Sequence, residues 1–176
     1  EEKLYSLTAC KAPPLSAPTF EYLHDSSVLY SNIKNRTYQF AYQYVYEDGE
    51  VSAISPYSTL AVNLLQKVDG YVSGDSLEYY NKLRVTVDTN KGDVAKIKLL
   101  ARQGGSTTFY AVGEEDNNRG VSTLTFDFIN NKNYNIVSNY DVLKMYDNVP
   151  LSSNSLSIVG NRLVFGGYTE FYDNHS

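Results

Sequence analysis

Few residues in this chain are of a type and spacing suited to covalent chemistry. The 176 residues include two histidines, His24 and His175, and one cysteine, Cys10. None of the three sits at the short spacing of a zinc site or beside a partner that would activate a thiol. A lone cysteine also forms no disulfide within the chain. Glu114-Glu115-Asp116-Asn117-Asn118 offers oxygen ligands for a hard cation, but lacks the alternate carboxylates and central glycine of a calcium loop. A solvated acidic loop is expected there. Gly104-Gly105 and Gly166-Gly167 are followed by no helix, so they read as turns rather than phosphate cradles. No catalytic residue, metal or cofactor is expected, and the chain is not read as an enzyme.

Aromatic packing is the chemistry the chain does offer, and it points back to the element that must carry it. Tyr38, Phe40, Tyr42, Tyr44 and Tyr46 fall on alternate residues, which in a β-strand share one face. The other face reads Thr37, Gln39, Ala41, Gln43 and Val45. Asp48-Gly49 supplies a tight turn, because glycine tolerates positive φ and aspartate visits it readily. The segment from Val51 should return as a strand that Ser55-Pro56 ends, proline having no N–H for the ladder. Beyond it, Leu60, Val62 and Leu64 alternate inward. Each ring of the aromatic row buries about 150–250 Å², so a core role outweighs an exposed platform, which would aggregate unless covered.

The rest of the chain repeats this grammar. Residues 1–15 read as an extended lead-in around Pro13-Pro14, anchored by Phe20, Tyr22, Val28 and Tyr30. Residues 66–81 look like a long loop. Lys82 to Asp88 is a strand with Leu83, Val85 and Val87 on one face, and Ala95 to Arg102 is another with Ile97, Leu99 and Ala101 together. Thr107 to Val112 returns from a Gly104-Gly105 turn, and Val121 to Ile129 aligns Leu124, Phe126 and Phe128. Residues 140–146 suit one short helical turn. A second hairpin is expected from Ser155 to Tyr168, turning at Gly160-Asn161; alone it is marginal in water and needs a partner sheet.

Many short strands between Gly, Asn and Asp turns predict an all-β sandwich over residues 16–139, with 140–176 as a connector and hairpin. The expected core is Tyr38, Phe40, Tyr42, Tyr44, Leu83, Val85, Val87, Ile97, Leu99 and Phe126. A net charge of −5 argues against a nucleic-acid surface, and no apolar run reaches the roughly 18 residues of a membrane span. Tyrosine is abundant at 17, with no tryptophan, which suits interfaces and half-wet sheets. Opening on Glu1-Glu2-Lys3, the sequence reads as a segment of a larger polypeptide.

Arg36-Thr37-Tyr38 through Asp48-Gly49-Glu50 to Ser55-Pro56-Tyr57-Ser58 resembles the last two strands of a fibronectin type III domain. Segments resembling the earlier strands follow: Leu83 to Asp88, Ala95 to Arg102, Phe109 to Val112 and Val121 to Phe128. The implied fold is a fibronectin/immunoglobulin-like β-sandwich in circularly permuted order. The same order resembles the fibronectin-like insertions in structural proteins of tailed bacteriophages, including nozzle proteins and the "muzzle"-type proteins of crAss-like phages. Residues 147–170 are similar to the segment that re-enters the main, often propeller-like, body of such proteins.

That resemblance implies an architectural role in a virion, in the tail, nozzle, muzzle or neck. Its partners would be further copies in a ring and neighbouring virion proteins, and its location an extracellular particle. The rival expectation is a carbohydrate-binding or adhesin module of a surface protein. It would use Tyr79, Tyr80, Tyr110 or Tyr168 as contact residues, with a surface glycan as partner.

Overall fold

The computed structural model of the chain describes residues 11–33, 36–62, 80–90, 92–138, 142, 152–160 and 162–169. Nine strands lie among them: β1 (Thr19–Leu23), β2 (Tyr38–Tyr46), β3 (Lys82–Asp88), β4 (Val94–Gln103), β5 (Tyr110–Asp116), β6 (Thr123–Phe128), β7 (Asn135–Ile136), β8 (Ser152–Val159) and β9 (Arg162–Thr169). They form a three-stranded sheet in the order β1-β3-β6, a four-stranded sheet in the order β2-β4-β5-β7, and the separate β8-β9 hairpin. Every pairing is antiparallel.

The two larger sheets face each other as a sandwich because both present alternate apolar residues. Phe40, Tyr42 and Tyr44 from β2 and Ile97 and Leu99 from β4 share one core cluster with Leu83, Val85, Val87 and Phe126 from β3 and β6. Rings interlock across the gap: Phe128 stands edge-on to Tyr38 and Phe40, with centroids 5.0 Å and 5.5 Å apart. All ten residues expected in the core are buried. A second, smaller cluster lies on the opposite face of the four-stranded sheet, where Ala41, Ile54, Leu100, Phe109, Val137 and Val142 pack together.

The return from the Asp48-Gly49 turn differs from the expected strand. Gly49 takes a φ of 82°, and only Val51 and Ala61 form ordinary bridges, to Val45 and Tyr38. Between them three serines at every third position match alternate residues of β2. Ser52, Ser55 and Ser58 each donate their N–H to the carbonyl of Tyr44, Tyr42 and Phe40, at 2.9, 2.8 and 2.8 Å. Each serine Oγ accepts the N–H of that same residue at 3.0 Å. The hydroxyl thus replaces the backbone carbonyl that a regular strand would supply. Gln39 and Gln43 donate their side-chain amides to the displaced Ser58 and Ser52 carbonyls, both at 2.9 Å. Gln43, a polar residue only 2% exposed, is therefore satisfied where it lies.

This three-to-two match carries the segment past Pro56 as far as Ala61, so Ser55-Pro56 does not end it. It also overturns the expected alternation: Ala61 is fully buried, Leu60 is exposed, and Leu64 lies outside the described residues.

In an immunoglobulin-type sandwich one sheet carries strands A, B and E and the other C, F and G. Laying β1, β3 and β6 on A, B and E, and residues 51–61, β2 and β4 on G, F and C, reproduces each neighbour relationship. The chain order is then A, F, G, B, C, E, so the F–G pair precedes B while β1 occupies the A position ahead of it. Tyr38, at the start of β2, donates its hydroxyl to the Asn32 carbonyl six residues upstream at 3.0 Å. The contact is similar in form to the tyrosine corner at the start of strand F in such sandwiches, although here it lies on the connection from β1 rather than on an E–F corner.

Several local expectations are corrected. Phe20 and Tyr22, read as anchors of a lead-in, pair along β3 as strand β1, and Tyr30 is exposed rather than anchoring. The lead-in itself is tied down, with Lys11 paired to Asp48 at 2.7 Å and the Ala12 carbonyl accepting the Tyr46 hydroxyl at 2.6 Å. Glu114 to Asp116 continue β5 instead of forming a loop, and Thr107 to Phe109 precede it. The short helical turn over 140–146 lies outside the described residues except for Val142, whose N–H bonds the Ser138 carbonyl at 3.1 Å.

Candidate functional site

One end of the sandwich gathers loop 24–32, the β4–β5 turn and loop 129–134, and it lies opposite the Asp48-Gly49 turn where Lys11 and Ala12 are held. Loop 24–32 is stapled at its base. Asn81 donates Nδ2 to the Asp25 carbonyl and accepts the Asp25 N–H at Oδ1, both at 2.8 Å. Lys82 bridges Asp25 at 2.8 Å and Asp127 at 3.1 Å, and Ser27 donates its N–H and hydroxyl to Asp25. The Lys82 ammonium, helped by Ser27, holds the Asp25 carboxyl well below the usual carboxylate range. On the far side, the Ser31 hydroxyl and the Asn32 N–H both bond the Ile129 carbonyl. This frame presents Leu29 at 98% exposure and Tyr30 at 70%. A large apolar side chain held out by a rigid loop has the form of an interface anchor.

Beside that loop a cleft of about 380 Å³ opens between loop 129–134 and the start of β5. Tyr38 and Phe128 line its core side, Tyr110 and Tyr134 its walls, and Arg36, Asn130, Lys132 and Asn133 its polar rim. Among the described residues no Asp or Glu lines it, although the chain as a whole is acidic. Asn130 is fixed by donating Nδ2 to the Tyr38 hydroxyl at 2.8 Å, and it adopts a φ of 50°. It is the one non-glycine residue with positive φ among the described residues. Asparagine tolerates that conformation better than most residues. Lys132 lies 5.7 Å from the Tyr134 ring centroid, and Phe128 packs against the same ring. Arg102 also borders the cleft, but its guanidinium bonds Gln39 and lies over Tyr57 and Phe109.

The other candidate surface is the β8–β9 hairpin. Its register pairs Leu156 with Phe165, and Leu156, Ile158 and Phe165 fall on one face. Leu156 is 60% exposed and Ile158 75%. The opposite face carries Ser153, Ser155 and Ser157 across from Tyr168, Gly166 and Val164. A two-stranded hairpin is marginally stable at best by itself in water.

Of the four expected contact tyrosines, the structure brings only Tyr110 to the cleft. Tyr80 packs against Tyr22 at 5.9 Å, Tyr168 belongs to the hairpin, and Tyr79 lies outside the described residues. Cys10 and His175 also lie outside them, and His24 is exposed in its loop. Among the described residues no three His, Cys, Asp or Glu side chains are grouped to hold a metal. As part of a strand, Glu114 and Asp116 face away from Glu115, and Glu114 pairs with Lys96 at 3.1 Å. No described helix is long and apolar enough to cross a membrane.

Sequence reasoning missed Leu29 and Tyr30 as a presented pair, and it missed Arg36 and Lys132. A signal was available for the first: Asp25-Ser26-Ser27 followed directly by Val28-Leu29-Tyr30 is an apolar run attached to a turn, with no alternation. Comparison with known proteins finds no matching family, no matching curated protein and no matching solved structure.

Proposed function

We propose that this chain is an architectural module of a larger assembly, acting through protein–protein contacts. The observation that carries this is the β8–β9 hairpin, whose apolar face needs a covering sheet or subunit to be stable. The stapled loop with Leu29 and Tyr30 provides a second contact point at the far end of the sandwich from Lys11 and Ala12. Charge and strand grammar are compatible with a passive spacer.

The specific setting we propose is a tailed-bacteriophage virion, in the tail, nozzle, muzzle or neck, on the strength of the permuted strand order and the phage insertions it resembles. Further copies in a ring would supply the interfaces, since closed cyclic symmetry uses one patch repeatedly without leaving open ends. The test is mass spectrometry of purified particles from the source culture. Peptides of this chain co-migrating with capsid and portal proteins would support the reading. Their recovery only from a cell-surface fraction would overturn it.

A further inference from the structure

We infer that the cleft between loop 129–134 and β5 is a binding site for an acidic sugar residue. Its carboxylate would be held by Arg36 and Lys132, and its ring face laid on Tyr110. The inference goes beyond the architectural role and does not depend on it.

Three features of the cleft select this chemistry. The first is charge. Arg36 and Lys132 both line a site with no lining carboxylate among the described residues, in a chain of net charge −5. Elsewhere the lysines and arginines at the sandwich surface are commonly matched to carboxylates, as in Lys82 with Asp25, Arg84 with Asp127, Lys96 with Glu114 and Arg119 with Glu47. Among the described residues neither Arg36 nor Lys132 forms such a bridge. Two cations in a partly enclosed site favour an anion, and the enclosure strengthens the attraction relative to open water.

The second feature is the wall. Tyr110 is partly exposed and makes no ring contact among the described residues, so a ring face is available to the cleft. Pyranose rings present a face of C–H bonds that packs on an aromatic surface, while their hydroxyls need donors and acceptors around the edge. Asn130 and Asn133 supply amides at the rim. A bare inorganic anion would use the cations and leave the aromatic wall without a role.

The third feature is preformation. The Tyr38 hydroxyl joins Asn32 to Asn130, and Asn130 holds its positive φ within that link. A volume of about 380 Å³ lies within the range of roughly 300–1,000 Å³ typical of small-ligand sites. A site already shaped loses less freedom on binding than one that must be ordered first.

The test is an amide-NMR titration of the chain with digalacturonate, its dimethyl ester and inorganic phosphate. The expected result is saturable shifts around Tyr110, Asn130 and Lys132 with digalacturonate, at least about tenfold weaker with the neutral ester. Arg36→Gln combined with Lys132→Gln should weaken digalacturonate binding by about the same factor, and so should Tyr110→Ala. Tyr110→Phe keeps the ring and should keep the binding, which separates loss of the platform from loss of the fold. Equal binding of the ester would overturn the role of charge. Full displacement by phosphate with Tyr110→Ala unaffected would reduce the cleft to a plain anion site and overturn the proposal. Absence of any shift with digalacturonate would overturn it outright.

Discussion

Ser55 meets Tyr42 through two hydrogen bonds that use one backbone group and one side chain: its N–H bonds the Tyr42 carbonyl at 2.8 Å, and its Oγ accepts the Tyr42 N–H at 3.0 Å. The same hydroxyl donates onward to the Pro56 carbonyl at 2.8 Å. Pro56 can thus sit in this edge segment because the β2 N–H groups are served by serines and never ask for a regular ladder. Replacing Ser55 with Ala leaves a buried N–H without an acceptor. The expected loss is about 1–3 kcal/mol of stability. Ser55→Thr retains the hydroxyl and should lose much less. Urea unfolding of both variants checks this, and an unchanged midpoint for Ser55→Ala would refute the role given to the hydroxyl.

Gly113 is held to glycine by the opposite sheet. A Cβ there would lie 2.8 Å from Cδ1 of the Phe126 ring, just where β5 shifts register against Leu99 and Leu100. Gly113→Ala should therefore destabilise by about 1–3 kcal/mol through overpacking. Pairing it with Phe126→Leu should recover part of that loss, and a double-mutant cycle measures the coupling. Strict additivity of the two substitutions would show that the ring is not the obstacle.

Alkaline pH should unfold the sandwich through its phenols. Burial raises the pKa of Tyr38, Tyr42 and Tyr44 above the usual phenol range. A group with a raised folded value contributes stability in full below its unfolded value, near pH 10, and loses it as pH rises through the folded value. Melting temperature should hold up to about pH 10 and then fall. Tyr44→Phe should make that fall shallower, and thermal melts across the alkaline range would show it.

Acid should loosen loop 24–32 by the converse route. Lys82 lowers the Asp25 pKa, so the carboxylate contributes above its unfolded value of about 3.9 and loses its effect as pH falls through the folded value. Asp25→Asn should give faster amide exchange at Ser27 and Val28 at neutral pH, with little change in the core strands. Equal protection in the variant would mean that Asn81 alone holds the loop.

Some of this protein was readable because a short-range rule decides it. Alternation of Tyr38, Phe40, Tyr42 and Tyr44, or of Leu83, Val85 and Val87, is a property of neighbouring residues, and a strand has only two faces. The β8–β9 hairpin was equally legible, since Gly160-Asn161 lies between two runs of matching length, and Gly160 takes a φ of 55°. Other features depended on partners distant in sequence. Phe20 and Tyr22 looked like anchors because five residues are too few to declare a strand without the β3 edge that accepts them. Glu114 to Asp116 looked like a loop by polarity, yet β4 offers them Lys96 and a pairing register.

The sequence by itself determined the all-β class, the core faces and the turns, because glycine, proline and alternating rings act within a few residues. The tertiary structure alone decided the serine ladder along β2 and the cleft. Ser52, Ser55 and Ser58 become acceptors only when a neighbouring strand presents an N–H at every second residue. Arg36, Tyr110 and Lys132 become one site only when β2, β5 and loop 129–134 meet at one end of the sandwich. Long-range meeting of this kind is set by sheet order, and no local pattern encodes it.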